Sequence, residues 1–218
     1  GPVLILDAGD YSMGTAFGSA IRDTGAELRL LTRMEYDATT FGNHDFDLGA
    51  DGLGKSIDAA AKAGPILPLV SANANFEADD PMLDALKRQF KDGVIRRYLV
   101  IERGGIRFGI FGVLGNEAVA FTSGAGAVSF DDFIESSKKL VKVLRDEEKV
   151  DVVICLSHGG IEKGEDGRYS DGDDVRLPKA VPGIDVVIGS HSHVDLHEAT
   201  IVNERTPVVQ AGKYGEHL

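Results

Sequence analysis

An α/β architecture is what this sequence predicts, and three observations carry that expectation. Short, continuously apolar runs of strand length alternate with longer stretches of helical spacing, the pattern of buried strands covered by helices. A turn-joined pair of β-rich runs interrupts the alternation in mid-chain, so the expected form is α/β or layered α/β/α. Clusters of Asp, Asn, Ser and His stand where the apolar runs stop, and the C-terminal ends of strands are where α/β proteins bind ligands.

Taken in order, residues 3–6 read as a short strand running into Asp7-Ala8-Gly9-Asp10. Residues 16–34 have helical spacing, with Ile21, Leu28 and Leu31 facing inward. Residues 38–41 are the next strand and lead into Gly42-Asn43-His44-Asp45-Phe46-Asp47. Residues 51–63 form a helix with Leu53 and Ile57 on its apolar stripe, stopped by Gly64-Pro65. Residues 66–71 are a strand, and residues 80–89 a short helix with Pro81 in its first turn. Residues 96–102 and 106–113 make a hairpin around Arg103-Gly104-Gly105. Residues 131–147 are the clearest amphipathic helix, burying Phe133, Leu140, Val141 and Leu144. Residues 150–156 and 184–188 are strands of the doubly buried type, and two further strands cover 198–202 and 207–210. The polar, aperiodic stretch 162–174 reads as a long loop.

Composition narrows the functional classes. The 218 residues, 43% of them hydrophobic, suffice for one domain with a substantial core. A formal net charge of −12 speaks against a nucleic-acid polymer as partner, because phosphate backbones select basic surfaces. It leaves room for a small phosphate ester whose charge a bound metal would meet. The one cysteine, Cys155, lies in an apolar run and reads as a small buried hydrophobe, which excludes a disulfide within the chain. No apolar stretch reaches transmembrane length, and no feature points to a protein partner.

The chemistry is concentrated in the strand-end clusters. His158, His191 and His193 each follow an apolar run. The single residue between His191 and His193 puts both on one face if extended, and lets either turn to a shared point if looped. Asp10 offers a carboxylate able to bridge two metals, and Asn43 a neutral carbonyl oxygen. That mixture of nitrogen and oxygen donors suits Zn, Mn or Fe better than Ca or Mg. Ordinary readings stand beside these: Asp10 as a turn residue, Asn43 as a cap or left-handed residue. His44, adjacent to Asn43, would point away from the same metal and toward a substrate. Asp47 could hold its other nitrogen, so that His44 protonates or stabilises a leaving oxygen. The plain alternative is that His44 and Asp47 cap the following helix. His197 and His217 have no such company and read as surface or core residues, and Asp171-Gly172-Asp173-Asp174 reads as a solvated loop or helix N-cap.

These motifs in this order resemble the 5'-nucleotidase and UDP-sugar hydrolase family of calcineurin-like metallophosphoesterases. The resemblance rests on Asp7-Ala8-Gly9-Asp10 with Gly14-Thr15, then Tyr36-Asp37-Ala38 before Gly42-Asn43-His44-Asp45-Phe46-Asp47. Ser157-His158-Gly159-Gly160, Pro182-Gly183-Ile184-Asp185 before Gly189-Ser190-His191-Ser192-His193, and Gln210-Ala211-Gly212-Lys213-Tyr214-Gly215 continue it. It implies a layered α/β/α metallophosphoesterase-type sandwich with mixed sheets over residues 1–218. It also implies hydrolysis of 5'-nucleotides or related phosphate esters by a metal-bound hydroxide, in a periplasmic, secreted or surface setting. By position, Asp10 corresponds to the bridging ligand of two divalent ions, Zn or Mn. Asn43, His158 and His191 complete one ion's set, His193 serves the other, and His44 with Asp47 is the catalytic dyad.

Two departures qualify these implications. The family's first strand, with an Asp-x-His pair that supplies further ligands to the second ion, would lie before Gly1. Its C-terminal substrate-binding domain would lie after Leu218. The expectation is therefore a partial domain that binds one metal better than two and has impaired activity by itself. The alternatives that the same fold leaves open are a dimanganese sulfur-oxidation hydrolase, a cyclic-nucleotide phosphodiesterase and a non-catalytic metal-binding surface module.

Overall fold

The computed structural model describes residues 3–12 and 21–216. Its helices are α1 (Ile21–Thr24), α2 (Ala26–Arg33), α3 (Gly49–Ala63), α4 (Asp84–Lys91), α5 (Asn116–Ala120), α6 (Phe133–Asp146) and α7 (Asp173–Ala180). The strands are β1 (Leu69–Val70), β2 (Ala74–Asn75), β3 (Ile95–Arg96), β4 (Tyr98–Arg103), β5 (Ile106–Leu114) and β6 (Ser129–Phe130). They continue with β7 (Val152–His158), β8 (Glu162–Lys163), β9 (Tyr169–Asp171), β10 (Val186–Gly189), β11 (Thr200–Val202) and β12 (Thr206–Val209).

The main sheet has six strands in the order β11-β12-β10-β7-β5-β4. Its centre, β12-β10-β7-β5, is parallel, and the edge strands β11 and β4 pair antiparallel. Alternation along β7 serves two cores at once, because successive side chains point to opposite faces. Val153 and Cys155 enter a cluster with Phe133, Val141 and Leu144 of α6 and with Val175 and Leu177 of α7. Ile154 and Leu156 meet Ile110, Ala38 and Val70 on the other side.

Ala38 and Val70 belong to a second, shorter row of parallel pairings: Leu6 with Ala38, Thr39 with Leu69, then β1 with β3. A third cluster, with Leu28, Leu53, Ile57 and Leu86, seats α2, α3 and α4 against this row. Helices thus cover two facing layers of strands, and the layered α/β sandwich with mixed sheets expected from the sequence is what forms.

Local differences from the sequence reading have physical causes. The stretch 16–34 is not one helix: residues 13–20 lie outside the described residues, with Gly14 and Thr15 among them, and Gly25 at φ +53° separates α1 from α2. The stretches 3–6 and 38–41 pair over one or two residues only, although Asp37 N donates to Ile5 O (2.7 Å) and Asp7 N to Ala38 O (3.1 Å). The stretch 162–174 is not one loop. It contains the β8–β9 hairpin and the first turn of α7, and the exposed ends of so short a ribbon carry no apolar alternation. α5 carries no apolar periodicity long enough to announce it. Helix α6 starts where expected, with the Asp132 carboxylate accepting from Glu135 N at 2.8 Å. Among the described residues no helix is long and apolar enough to cross a membrane.

Candidate metal centre

The candidate residues meet because the strands that end in them are paired. In the parallel β7–β10 pair, Gly189 lies opposite Ser157, so the loop bearing His191 leaves the sheet beside His158. From the second row, the chain after Thr39 delivers Asn43 and His44, and the chain after Leu6 delivers Asp10. Asp10, His191 and His193 all sit at positive φ, 63°, 75° and 57°. Left-handed backbone at non-glycine residues is uncommon and costs energy, and it concentrates at functional loops.

His158 is wholly buried, and its Nδ1 lies 2.8 Å from the Ala8 carbonyl oxygen. A carbonyl only accepts, so Nδ1 carries the proton and Nε2 is the free atom of the neutral ring. Nε2 faces Asp10 Oδ2 at 3.2 Å and Asn43 Oδ1 at 3.1 Å. His191 Nδ1 approaches the same Asn43 oxygen at 2.9 Å, and the two imidazole centroids are 5.2 Å apart. Burial and the neighbouring His158 hold the His191 pKa below the ordinary histidine value. Burial by itself would lower the His158 pKa too, but its bond and charge contact with Asp10 outweigh that and raise it. His193 is exposed and stands apart, its ring 6.1 Å from that of Tyr214.

His44 and Asp47 do form a pair: Nδ1 lies 2.9 Å from Asp47 Oδ2 at the open side of the site. Neither caps α3, whose N-terminus has no side-chain cap. The His44 backbone N–H donates to Asp10 Oδ1 at 2.9 Å, which fixes the dyad relative to the Asp10 carboxylate.

Residues 1–195 match the family model of the calcineurin-like phosphoesterases. The chain belongs to this family. It is 30% identical over 99% of its length to the trifunctional nucleotide phosphoesterase protein YfkN of Bacillus subtilis, covering 15% of that protein. It is 30% identical over 97% of its length to human 5'-nucleotidase, covering 32% of it. Its fold superposes on the 5'-nucleotidase precursor of Thermus thermophilus with a TM-score of 0.75 at 28% identity, spanning 99% of this chain and 41% of that one. The chain thus spans a third or less of the length of these curated relatives.

Calcineurin-like phosphoesterases use divalent metals, and the donor set can be tested against that need. Among the described residues, no three His, Cys, Asp or Glu side chains cluster in a way that could hold an ion; the convergence here depends on the Asn43 amide. Around it, a neutral imidazole nitrogen, a carboxylate oxygen and an amide oxygen turn their lone pairs toward one another in a buried space. A proton on His158 Nε2, which the Asp10 contact favours, reconciles such an arrangement, and so would a cation. These donor atoms are of kinds that a divalent cation takes.

Two features escape the sequence reading. Asp45, to which it gives no role, is buried and clamps the two loops together: its carboxylate accepts from Gly42 N (2.7 Å), Asp10 N (3.0 Å), Ser12 N (3.1 Å) and Ser12 Oγ (2.6 Å). Gly42 permits the approach, since a Cβ there would collide with the Asp10 carboxylate. The acidic stretch 171–174 is the other. Asp171 pairs with Arg176 at 3.0 Å, but Asp173 and Asp174 are buried in the first turn of α7 and are not solvated. His197 is exposed beside Asp195, His217 lies outside the described residues, and Cys155 is buried and free.

Proposed function

We propose that this chain carries the metal-binding domain of a hydrolase that cleaves phosphate esters, 5'-nucleotides foremost. In this reading Asp10, Asn43, His158 and His191 hold one divalent ion, Zn or Mn, and His193 with Asp10 serves a second, weaker position. The observation that carries the reading is the convergence of His158 and His191 on the single Asn43 oxygen with Asp10 alongside. When bound, the metal supplies Lewis-acid charge to phosphoryl oxygens.

The remaining work belongs to the chain's own groups. The Asp47 carboxylate holds His44 Nδ1 and orients the ring, so that Nε2 is placed to deliver a proton to the leaving oxygen. The bond from His44 N to Asp10 Oδ1 holds that proton donor at a fixed place beside the metal ligands. The names of the relatives support a nucleotide substrate, and an extracytoplasmic setting accords with the family resemblance.

The test is turnover of adenosine 5'-monophosphate by the purified chain with Mn2+ for wild type and His44→Ala. The substitution is expected to lower kcat by about 10²–10⁴-fold while Mn2+ content stays the same. Equal turnover by the two proteins would overturn the reading.

A further inference from the structure

Two glycines flank the strand ends that carry the buried candidate histidines. Gly159 follows His158 at the end of β7, and Gly189 closes β10 two residues before His191. Neither has the positive φ that would by itself call for glycine. Both are instead met by one carboxyl group. A Cβ on Gly189 would collide with Asp174 Oδ2, and one on Gly159 would lie 2.9 Å from Asp174 Oδ1.

Asp174 is wholly buried in the first turn of α7, and its N–H donates to Gly160 O at 3.0 Å. Its side chain is thus wedged between the ends of β7 and β10, while its backbone is tied to the chain just past His158. The Ser157 hydroxyl and the Gly159 N–H draw close to it, but neither carboxyl oxygen, nor Ser157 Oγ, closes a hydrogen bond. A buried polar group without partners is costly, so hydrogen bonding does not account for an acid at this place. What the group supplies is its shape, fitted against two backbones that carry no side chain.

The sheet register gives that fit a consequence. Gly189 lies opposite Ser157, so backbone pairing fixes the two strands up to the residue before His158. Beyond that point the chains leave the ladder, and the contact through Asp174 spans them. Farther out, Ile161 N donates to Ser192 Oγ at 3.0 Å and joins the same two loops. The imidazoles of His158 and His191 end 5.2 Å apart, both on Asn43 Oδ1.

We propose that Asp174 is a positioning residue of the centre: its side chain fills the space that Gly159 and Gly189 leave open and so sets the spacing of His158 and His191. Its bearing on metal affinity rests on the proposed metal-binding function.

The experiment compares wild type with Asp174→Ala, Asp174→Asn, Gly189→Ala, the double variant Asp174→Ala/Gly189→Ala, and Leu144→Ala, a core truncation under α6. Mn2+ affinity is read by equilibrium dialysis, and the imidazole signals of the metal-free chain by proton–nitrogen correlation spectra. Asp174→Ala and Gly189→Ala are each expected to lose about tenfold in affinity and to shift the His158 and His191 signals. Asp174→Asn, of the same shape, is expected to rescue the loss to within about twofold. Adding Gly189→Ala to Asp174→Ala is expected to cost less than about twofold more, because the methyl group then has room. Leu144→Ala is expected to lower stability and leave affinity and both signals in place. Affinity and signals unchanged in Asp174→Ala, or losses in Asp174→Asn and Leu144→Ala as large as its own, would overturn the proposal. Should Asp174→Ala not fold, unchanged affinity and signals in Gly189→Ala would overturn it. Should wild type bind no Mn2+, the metal reading fails, and the imidazole signals still decide whether Asp174 positions the two rings.

Discussion

The buried and the open sides of the centre are built on opposite plans. On the buried side, His158 and Asn43 are 0% and 3% exposed, and the nitrogens of His158 are answered by Ala8, Asp10 and Asn43. On the open side, the His44 ring bonds to Asp47, which is itself half exposed, and the ring of His193 lies beside that of Tyr214. The difference teaches where rigidity is needed. In the proposed reading, the residues that would hold an ion are fixed by bonds from several elements, whereas those that would meet a reacting substrate keep access to it.

Substitutions can break this contrast, beginning with the largest effect. His158→Ala should lower Mn2+ affinity by at least about 100-fold, read by titration with equilibrium dialysis. His193→Ala should change the first ion's affinity by far less; equal losses would erase the distinction between the two sides. Next, Asp45→Ala leaves the donors on Gly42, Asp10 and Ser12 without their acceptor. It should cost about 2–3 kcal/mol in urea denaturation. The exposed Asp47→Ala should cost under about 0.5 kcal/mol by the same measurement, while slowing nucleotide turnover about tenfold. A large stability loss in Asp47→Ala would place the dyad on the structural side of the comparison.

A separate effect concerns pH. Burial raises the Asp174 carboxyl to about 7. The folded chain then keeps a proton that the unfolded chain, titrating near the ordinary carboxyl value, releases. Stability should accordingly fall as pH rises from about 4 to about 7 and level off above that. Asp174→Asn should flatten this slope in denaturation curves collected across the range, and an unchanged slope would mean that Asp174 is ionised in the fold.

Much of this architecture is legible in the sequence because its strands are buried on both faces. The run ending at His158 and the run before Gly189 announce themselves by unbroken apolar character, and the histidines follow by position. The hairpin of β4 and β5 is equally plain, its turn marked by paired glycines. What is not legible depends on contacts between distant segments. Asp45 looks like one more acid in a polar run, and its burial against Ser12 and Asp10 arises only when two loops meet. Asp173 and Asp174 resemble a solvated cluster until the sheet ends close over them. Phe121 offers no periodicity, and its place beside His191 is set by how α5 is anchored to the end of β7.

The measurement closest to the central claim is the binding of Mn2+ to the purified chain, followed by electron paramagnetic resonance, with circular dichroism as a check on folding. The account predicts one tightly held ion per chain in wild type and in His193→Ala, and its loss in folded Asn43→Ala, whose missing amide is the atom on which both buried imidazoles converge. Tight binding retained in Asn43→Ala, or lost in His193→Ala alone, would contradict it.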